Sequence, residues 1–178
     1  MKLLRTIRLD PSDTFIFPLA AEPSEWAISG AFAFCDAKLE NLEGKERSAF
    51  RSGFLGIPSL GWSTLVQIVE ATADDHAAAI EVLTQCLCER FGAPDFATAR
   101  RAAEEEIAFV STLCNHPADT LIAVHRDCED RAIRESFRTL RPRGGAKPWR
   151  AFSFLEVEGD EEMGETVDLA ALADRESR

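Results

Sequence analysis

Residues 72–114 carry two helical patterns in immediate succession, and this pair constrains the fold more than any other part of the sequence. Thr72 and Asp75 have the T-x-x-D spacing of a capping box, and Gly92 stands where a helix C-cap is expected. Asp95 can cap the second helix. The apolar stripes recur every three or four residues, as Ile80, Leu83, Leu87 and Phe91, and then as Phe96, Ala99, Ala103, Ile107, Val110 and Cys114. The sequence therefore predicts two long helices, one after the other.

Segments on both sides of these helices are typical of strands. We expect strands over 2–10, 14–20, 26–36, 63–71, 120–128 and 150–157, and a further helix running from Leu39 to the glycines at 53 and 56. In the third of these strands, Trp26, Ile28, Gly30, Phe32 and Phe34 would share one face. Residues 131–140 fit either a helix or the second arm of a hairpin, and we favour the hairpin because Glu129-Asp130 after a strand suits a turn. This order predicts one α+β domain over 1–157, with an antiparallel or mixed sheet and two to three helices packed on one face.

Composition excludes some classes of function. Apolar residues make up 46% of the chain and charged residues 29%, which is typical of a soluble globular protein. The formal charge of −11 argues against binding to nucleic acid or to an anionic membrane, because both need a basic surface. No apolar segment precedes Asp10-Pro11, and no apolar run approaches about 18 residues, so we expect neither a signal peptide nor a membrane span. The expected location is the cytoplasm.

The C-terminal residues differ in composition from the rest. From Glu156 to Glu165, six of ten residues are acidic and two are glycine. Such a segment is typical of a solvated tail. We expect an acidic C-terminal tail over 158–178.

Four residues near the end of the second helix raise the question of a metal. Cys114, His116, His125 and Cys128 are the ligand types that zinc uses. Cys114, however, lies on the apolar stripe of its helix, and His125 and Cys128 are three residues apart in an expected strand, so they should point to opposite faces. We therefore expect capping and core packing at these positions, and no cofactor. The five cysteines should be free thiols.

Signatures of catalysis are missing from the sequence. It has no G-x-S-x-G elbow, no glycine-rich phosphate loop and no H-E-x-x-H zinc helix. The run Glu104-Glu105-Glu106 follows Arg100 and Arg101 by about one helical turn, so we expect ion pairs on a solvated helix face. Whether the protein is an enzyme stays open.

A local excess of positive charge is the strongest candidate for a binding site. Residues 126–150 contain eight basic and four acidic side chains, although the chain as a whole is strongly acidic. These residues could clamp a phosphate or carboxylate, dock a protein partner, or pair with the protein's own acidic surface, including residues 156–165. The candidate binding residues are Arg134, Arg138, Arg141, Arg143, Lys147, Trp149 and Arg150.

Several segments together resemble a known family. They are LRTIRLDPSDTFIF, EWAISGAFAF, GFLGIPSLGWSTLVQIVE, LIAVHRDCEDRAIRESFRTLRPR and RAFSFLEVEG. The chain is similar, up to about residue 159, to a family of unknown function in alphaproteobacteria and their relatives. The resemblance implies no catalytic residues, and Arg131 stands where family members carry glycine, which weakens the tight-turn version of the hairpin. It also implies gene neighbourhoods of molybdenum-enzyme and lipoate-ligase-like accessories, and hence an assembly role.

Three hypotheses of function follow. The first is a cytosolic, non-catalytic accessory protein that docks a protein partner, plausibly a redox enzyme under assembly, through the arginine-rich segment. The second is a protein or enzyme that binds a small anion or phosphate with Arg134, Arg138 or His125. The third is a zinc protein that uses Cys114, His116, His125 and Cys128. The oligomeric state is left open.

Overall fold

The fold is an α+β domain built on one antiparallel sheet. The computed structural model describes residues 1–129, 132–142 and 155–158, the side chains of 141–142 and 155–158 excepted. The strands are β1 (Lys2–Ile7), β2 (Trp26–Ile28), β3 (Phe54–Gly56), β4 (Trp62–Ser63), β5 (Leu65–Glu70), β6 (Leu121–Glu129), β7 (Ala132–Pro142) and β8 (Leu155–Glu158). The helices are α1 (Ser12–Ile16), α2 (Gly44–Ser52), α3 (Ala73–Arg90) and α4 (Phe96–Leu113), with 3-10 turns at Ala31–Phe34 and Leu39–Asn41.

The strands lie in the order β4-β3-β2-β1-β5-β6-β7-β8, and every neighbouring pair is antiparallel. Residues opposite each other in this register share a face of the sheet. Val124, Arg126 and Cys128 on β6 therefore share a face with their partners Phe137, Glu135 and Ile133 on β7. The predicted α+β class with an antiparallel sheet is confirmed.

Helices α2 and α4 contact this face of the sheet. The ring of Phe109 on α4 lies 5.8 Å from that of Phe137, and α4 also packs on β1 and β2. Helix α2 lies against β6, and α3 packs on α4. The main core lies between these helices and the sheet and includes buried side chains such as Leu4, Ile68, Leu83, Ile107 and Ile122. None of the helices in the described part of the chain has both the length and the apolar character needed to cross a membrane.

The two long helices begin as predicted, and α3 ends one residue before the predicted position, with Phe91 as its C-cap and Gly92 following it. Thr72 and Asp75 form a reciprocal capping box at the start of α3, and Asp95 accepts a hydrogen bond from the Thr98 amide at the start of α4. The predicted hairpin is also confirmed, since β6 and β7 pair from Leu121–Leu140 to Glu129–Ala132. Arg131 and residues 150–154 of the predicted last strand lie outside the described residues, whereas Leu155–Glu158 form β8.

The predicted strand at 14–20 is wrong, because residues 12–16 form helix α1. Hydrogen bonds of two aspartate side chains, one before α1 and one within it, hold this helix in place. Asp10 accepts from the Ser12 amide at 2.8 Å, and buried Asp13 accepts from the Thr64 hydroxyl at 2.6 Å. These contacts leave Phe15 70% exposed while Phe17 is fully buried.

The predicted strand at 26–36 and the predicted helix from Leu39 are each wrong in part. Strand β2 ends at Ile28 because Gly30 adopts the left-handed conformation, with φ +78°, and a 3-10 turn follows. The alternation predicted for Phe32 and Phe34 therefore fails. The helix α2 starts only at Gly44, and Gly53 caps its C-terminus as predicted, whereas Gly56 is the last residue of strand β3.

Candidate functional site

A fully buried arginine ties four parts of the chain together. Arg126 on β6 is 0% exposed. Its Nε donates to Glu135 Oε1 at 2.7 Å, and its Nη1 donates to the carbonyls of Phe50 at 3.0 Å and Gly53 at 2.7 Å. Its Nη2 donates to the Ser29 carbonyl and, at 3.4 Å, to the Ser29 hydroxyl, which itself donates to Glu135. Burial lowers the pKa of Arg126, and the Glu135 carboxylate acts in the opposite direction.

A cavity of about 670 Å³ is lined in part by Cys128 and Ile133, which share the sheet face of this arginine. We call it the Glu106 cavity, because Glu106 on α4 is its half-buried carboxylate. The first 3-10 turn and the residues after it supply Phe32, Phe34 and Leu39, and the sheet supplies Ile133. The exposed lining side chains are Cys35, Lys38, Glu40 and Cys128. The lining is thus aromatic and apolar with a small number of ionisable groups, which is usual for small-molecule sites.

The environment of Glu106 raises the pKa of its carboxyl to about 7. Burial is the largest cause, because a charged carboxylate loses hydration in the protein. The negative charge of Glu135 acts in the same direction, and Arg126 opposes it. The expectation of a fully solvated Glu104–Glu106 run is therefore wrong at Glu106, whereas Glu104 does pair with Arg100 at 3.0 Å as predicted.

A second, smaller cleft adjoins the first. Its volume is about 390 Å³, and it shares Leu39, Glu40 and Cys128 with the Glu106 cavity. Arg51 in its lining is 3.7 Å from Asp127. Its lining therefore contains its own ion pair.

Of the predicted binding residues, Arg134 and Arg138 lie on β7 and are exposed. Their cross-strand partners on β6 are Asp127 and Ala123, so both arginines occupy the sheet face opposite to Glu135 and Phe137. Arg134 Nε donates to Glu129 at 2.8 Å. Neither arginine lines one of the cavities described above.

The other predicted binding residues are less completely described. Arg141 belongs to β7, where its backbone is in register with Glu156 of β8. Thr139 is likewise in register with Glu158. Arg143, Lys147, Trp149 and Arg150 lie outside the described residues, as do positions 159–178 of the predicted tail.

The four possible zinc ligands are spread over the fold. Cys114 is buried at the end of α4, where its thiol donates to the Val110 carbonyl and burial raises its pKa to about 11. His116 follows in the next loop, and its carbonyl accepts from Lys2 Nζ at 2.8 Å. His125 Nε2 lies 2.9 Å from Asp127, on the face of β6 opposite to Cys128. Among the described residues, no group of three or more His, Cys, Asp or Glu side chains could hold a metal ion, and the five cysteines are free thiols.

Sequence reasoning did not identify Arg126 or Glu106 as special. A signal for Arg126 was present, since Ile122 and Val124 alternate with it on the buried face of β6. Glu106 adjoins the buried stripe formed by Ala103, Ile107 and Val110, so a helix plot places it at the border of that stripe. The closure of a cavity around it depends on the turn at 31–34, which the alternation pattern did not predict.

Comparison with known proteins identifies the family. No curated protein and no solved structure matches the chain. The model of the Family of unknown function (DUF6505) matches residues 1–150, which is most of the 178-residue sequence. The protein therefore belongs to the Family of unknown function (DUF6505).

Proposed function

We propose that this protein is a non-catalytic accessory protein of the cytoplasm, of an alphaproteobacterial type, that docks a protein partner. The proposed docking surface contains Arg134 and Arg138, which we call the β7 arginine surface. The observation that carries the proposal is the exposure of both arginines on the sheet face opposite to α2 and α4. A redox enzyme under assembly is the kind of partner that the family resemblance favours.

The shape of this surface favours a protein partner over a small anion. A site for a phosphate or a small carboxylate needs converging, partly desolvated cations. Arg134 instead pairs with Glu129, and Arg138 faces away from the helices. Arginines on an exposed surface are common anchors in protein interfaces, because the guanidinium combines a planar face with several donors.

The charge of the molecule indicates the nature of the partner. A chain with a net charge of −11 repels acidic proteins except where cations are grouped. On the β7 arginine surface Arg134 already pairs with Glu129, so we expect the partner to present a carboxylate to Arg138. The same net charge disfavours nucleic acid, which we do not expect as a partner.

Charge reversal on β7 tests the proposal. The double variant Arg134→Glu and Arg138→Glu should reduce the recovery of the specific partner by about tenfold or more, because it places like charges across the interface. The measurement is quantitative mass spectrometry of proteins that co-purify with the tagged protein at its native level, at low and moderate salt.

The matched control reverses two arginines elsewhere. Arg90→Glu and Arg101→Glu make the same charge change at exposed positions of the two long helices, and they should leave partner recovery unchanged. Partners that stay bound to the β7 variant at both salt concentrations would contradict the proposal. Metal analysis of the same samples tests the zinc hypothesis, which requires stoichiometric zinc in material purified without chelator.

A further inference from the structure

The carboxylate of Glu106 has no partner in its cavity. Among residues 1–129, 132–142 and 155–158, no hydrogen bond or ion pair reaches this side chain. A half-buried carboxylate without a bonded partner is costly, because it loses part of its hydration and gains no hydrogen bond in exchange. Such a group marks a place where a ligand can supply the missing interaction.

Arg126, whose charge acts on Glu106, does not supply it. A guanidinium has five N–H donors. In Arg126 these five meet Glu135, the carbonyls of Phe50, Gly53 and Ser29, and the Ser29 hydroxyl. The arginine therefore has no N–H donor left for Glu106, and its charge is compensated by Glu135.

The rest of the lining is suited to an apolar body. Phe34 packs on Phe50 and Trp62, with ring centroids 5.3 and 5.1 Å apart, and Phe32 packs edge-on against Phe91 at 5.0 Å. These rings are thus held in place beside the cavity. The faces of such rings attract cations. The volume of about 670 Å³ lies within the range of small-molecule sites.

We propose that the Glu106 cavity binds a small organic cation, with its ammonium group against the Glu106 carboxylate and its apolar body against Phe32 and Ile133. The charges of the lining support this choice of sign, since Glu106 and Glu40 outnumber Lys38. An anion would be repelled by the Glu106 carboxylate at the half-buried wall, and a neutral molecule would leave its negative charge uncompensated. The site is separate from the β7 arginine surface, which lies on the other face of the sheet.

Calorimetric titration of the full chain with benzyltrimethylammonium tests the proposal. This probe keeps its positive charge at every pH. We expect saturable binding at pH 8, and at least about tenfold weaker binding of the anion phenylacetate and the neutral benzyl alcohol. The variant Glu106→Gln should lose about tenfold in affinity for the cation, whereas Glu104→Gln, which makes the same change at an exposed position of α4, should bind like the wild type.

The pH dependence gives a second readout. With its pKa at about 7, the Glu106 carboxyl is mainly neutral at pH 5.5 and ionised at pH 8. Affinity for the cation should therefore rise across this range in the wild type and stay flat in Glu106→Gln. The other ionisable groups that face Glu106 or line the cavity are Glu105, Glu135, Arg126, Lys38, Glu40, Cys35 and Cys128. If the rise in affinity with pH persisted in Glu106→Gln, one of these other groups would be its cause, and the assignment to Glu106 would be wrong.

A further variant locates the bound probe. Ile133→Lys places an ammonium at the cavity wall, at a position that is only partly buried, and should abolish binding of the cation. Unchanged binding to this variant would place the probe elsewhere and contradict the proposal. Absence of binding to the wild type, or equal binding of phenylacetate, would also overturn it. None of these results bears on the β7 arginine surface.

Discussion

At the scale of single residues, Arg126 and Glu106 show how burial changes the role of a charge. Arg126 is a charged side chain in the core, yet every donor has an acceptor. Glu106 lies within its electrostatic reach and remains without a bonded partner. Arg126 holds segments of the fold in place, whereas the Glu106 carboxylate can still accept a hydrogen bond or pair with a cation at the cavity.

Replacement of Arg126 should cost far more than replacement of an exposed arginine. The variant Arg126→Met leaves three carbonyls without their donor and the Glu135 carboxylate without its cation, so we expect a loss of about 3–5 kcal/mol in the free energy of unfolding. Arg100→Met is the control, since the Arg100 side chain is 48% exposed and its ion pairs within the described residues are with exposed Glu81 and Glu104, and its loss should stay below about 1 kcal/mol. Urea unfolding followed by tryptophan fluorescence measures both. Similar losses in the two variants would contradict the structural role given to Arg126.

At the scale of elements, local signals predicted those parts of the fold that local contacts determine. The capping residues Thr72 and Asp95 act on their near neighbours, and β6 and β7 are close in the sequence and pair down to Glu129–Ala132, so the two helices and the hairpin follow local signals. Residues 12–16 look like a strand, but Asp13 bonds with Thr64, which is 51 residues away. The sequence pattern does not indicate that contact, so the helix α1 could not be predicted.

Gly30 decides where β2 ends, and its replacement should be costly for two separable reasons. The backbone of Gly30 has a φ of +78°, and a Cβ at this residue would lie 2.6 Å from the Leu55 Cβ. Gly44 is the matched control, because its φ is +52° and nothing lies within 4 Å of a Cβ. We expect Gly44→Ala to cost about 1 kcal/mol of stability from backbone strain, and Gly30→Ala to cost about 2–3 kcal/mol or more. Equal shifts in the urea midpoint of the two variants would show that the close contact with Leu55 contributes nothing to the loss of stability.

At the scale of the whole molecule, the candidate site depends on contacts between distant parts of the chain. The Glu106 cavity is formed by the 3-10 turn at 31–34, α4 and the β6–β7 hairpin. Sequence patterns predicted α4 and the hairpin but not the turn. The three elements meet because of the strand order in the sheet, which sequence patterns do not encode. For this reason Arg134 and Arg138 could be selected from the sequence by their charge, whereas the cavity could not.

The domain boundary is a prediction at the same scale. The buried core runs from Leu3 to Val124, with Ile133 and Phe137 packed against it. We therefore expect a chain of residues 1–158 to unfold within about 1 kcal/mol of the full chain, since it retains this core and β8. A chain of residues 1–131 is the control, and it should fail to fold because it lacks Glu135 and Phe137. Calorimetric unfolding of the three chains measures this, and a large loss in 1–158 would move the boundary towards the C-terminus.

The span of the Arg126 contacts also has a consequence for protein synthesis. Ser29 precedes Arg126 by 97 residues, and Glu135 follows it by nine. At translation rates of about 5–20 residues per second, the Ser29 carbonyl leaves the ribosome on the order of 5–20 s before its donor. During that time the nascent N-terminal half lacks the guanidinium that its carbonyls bind in the folded protein. Completion of the domain therefore waits for β6 and β7, and a ribosome that stalls between Gly53 and Arg126 exposes an open half-sheet to chaperones.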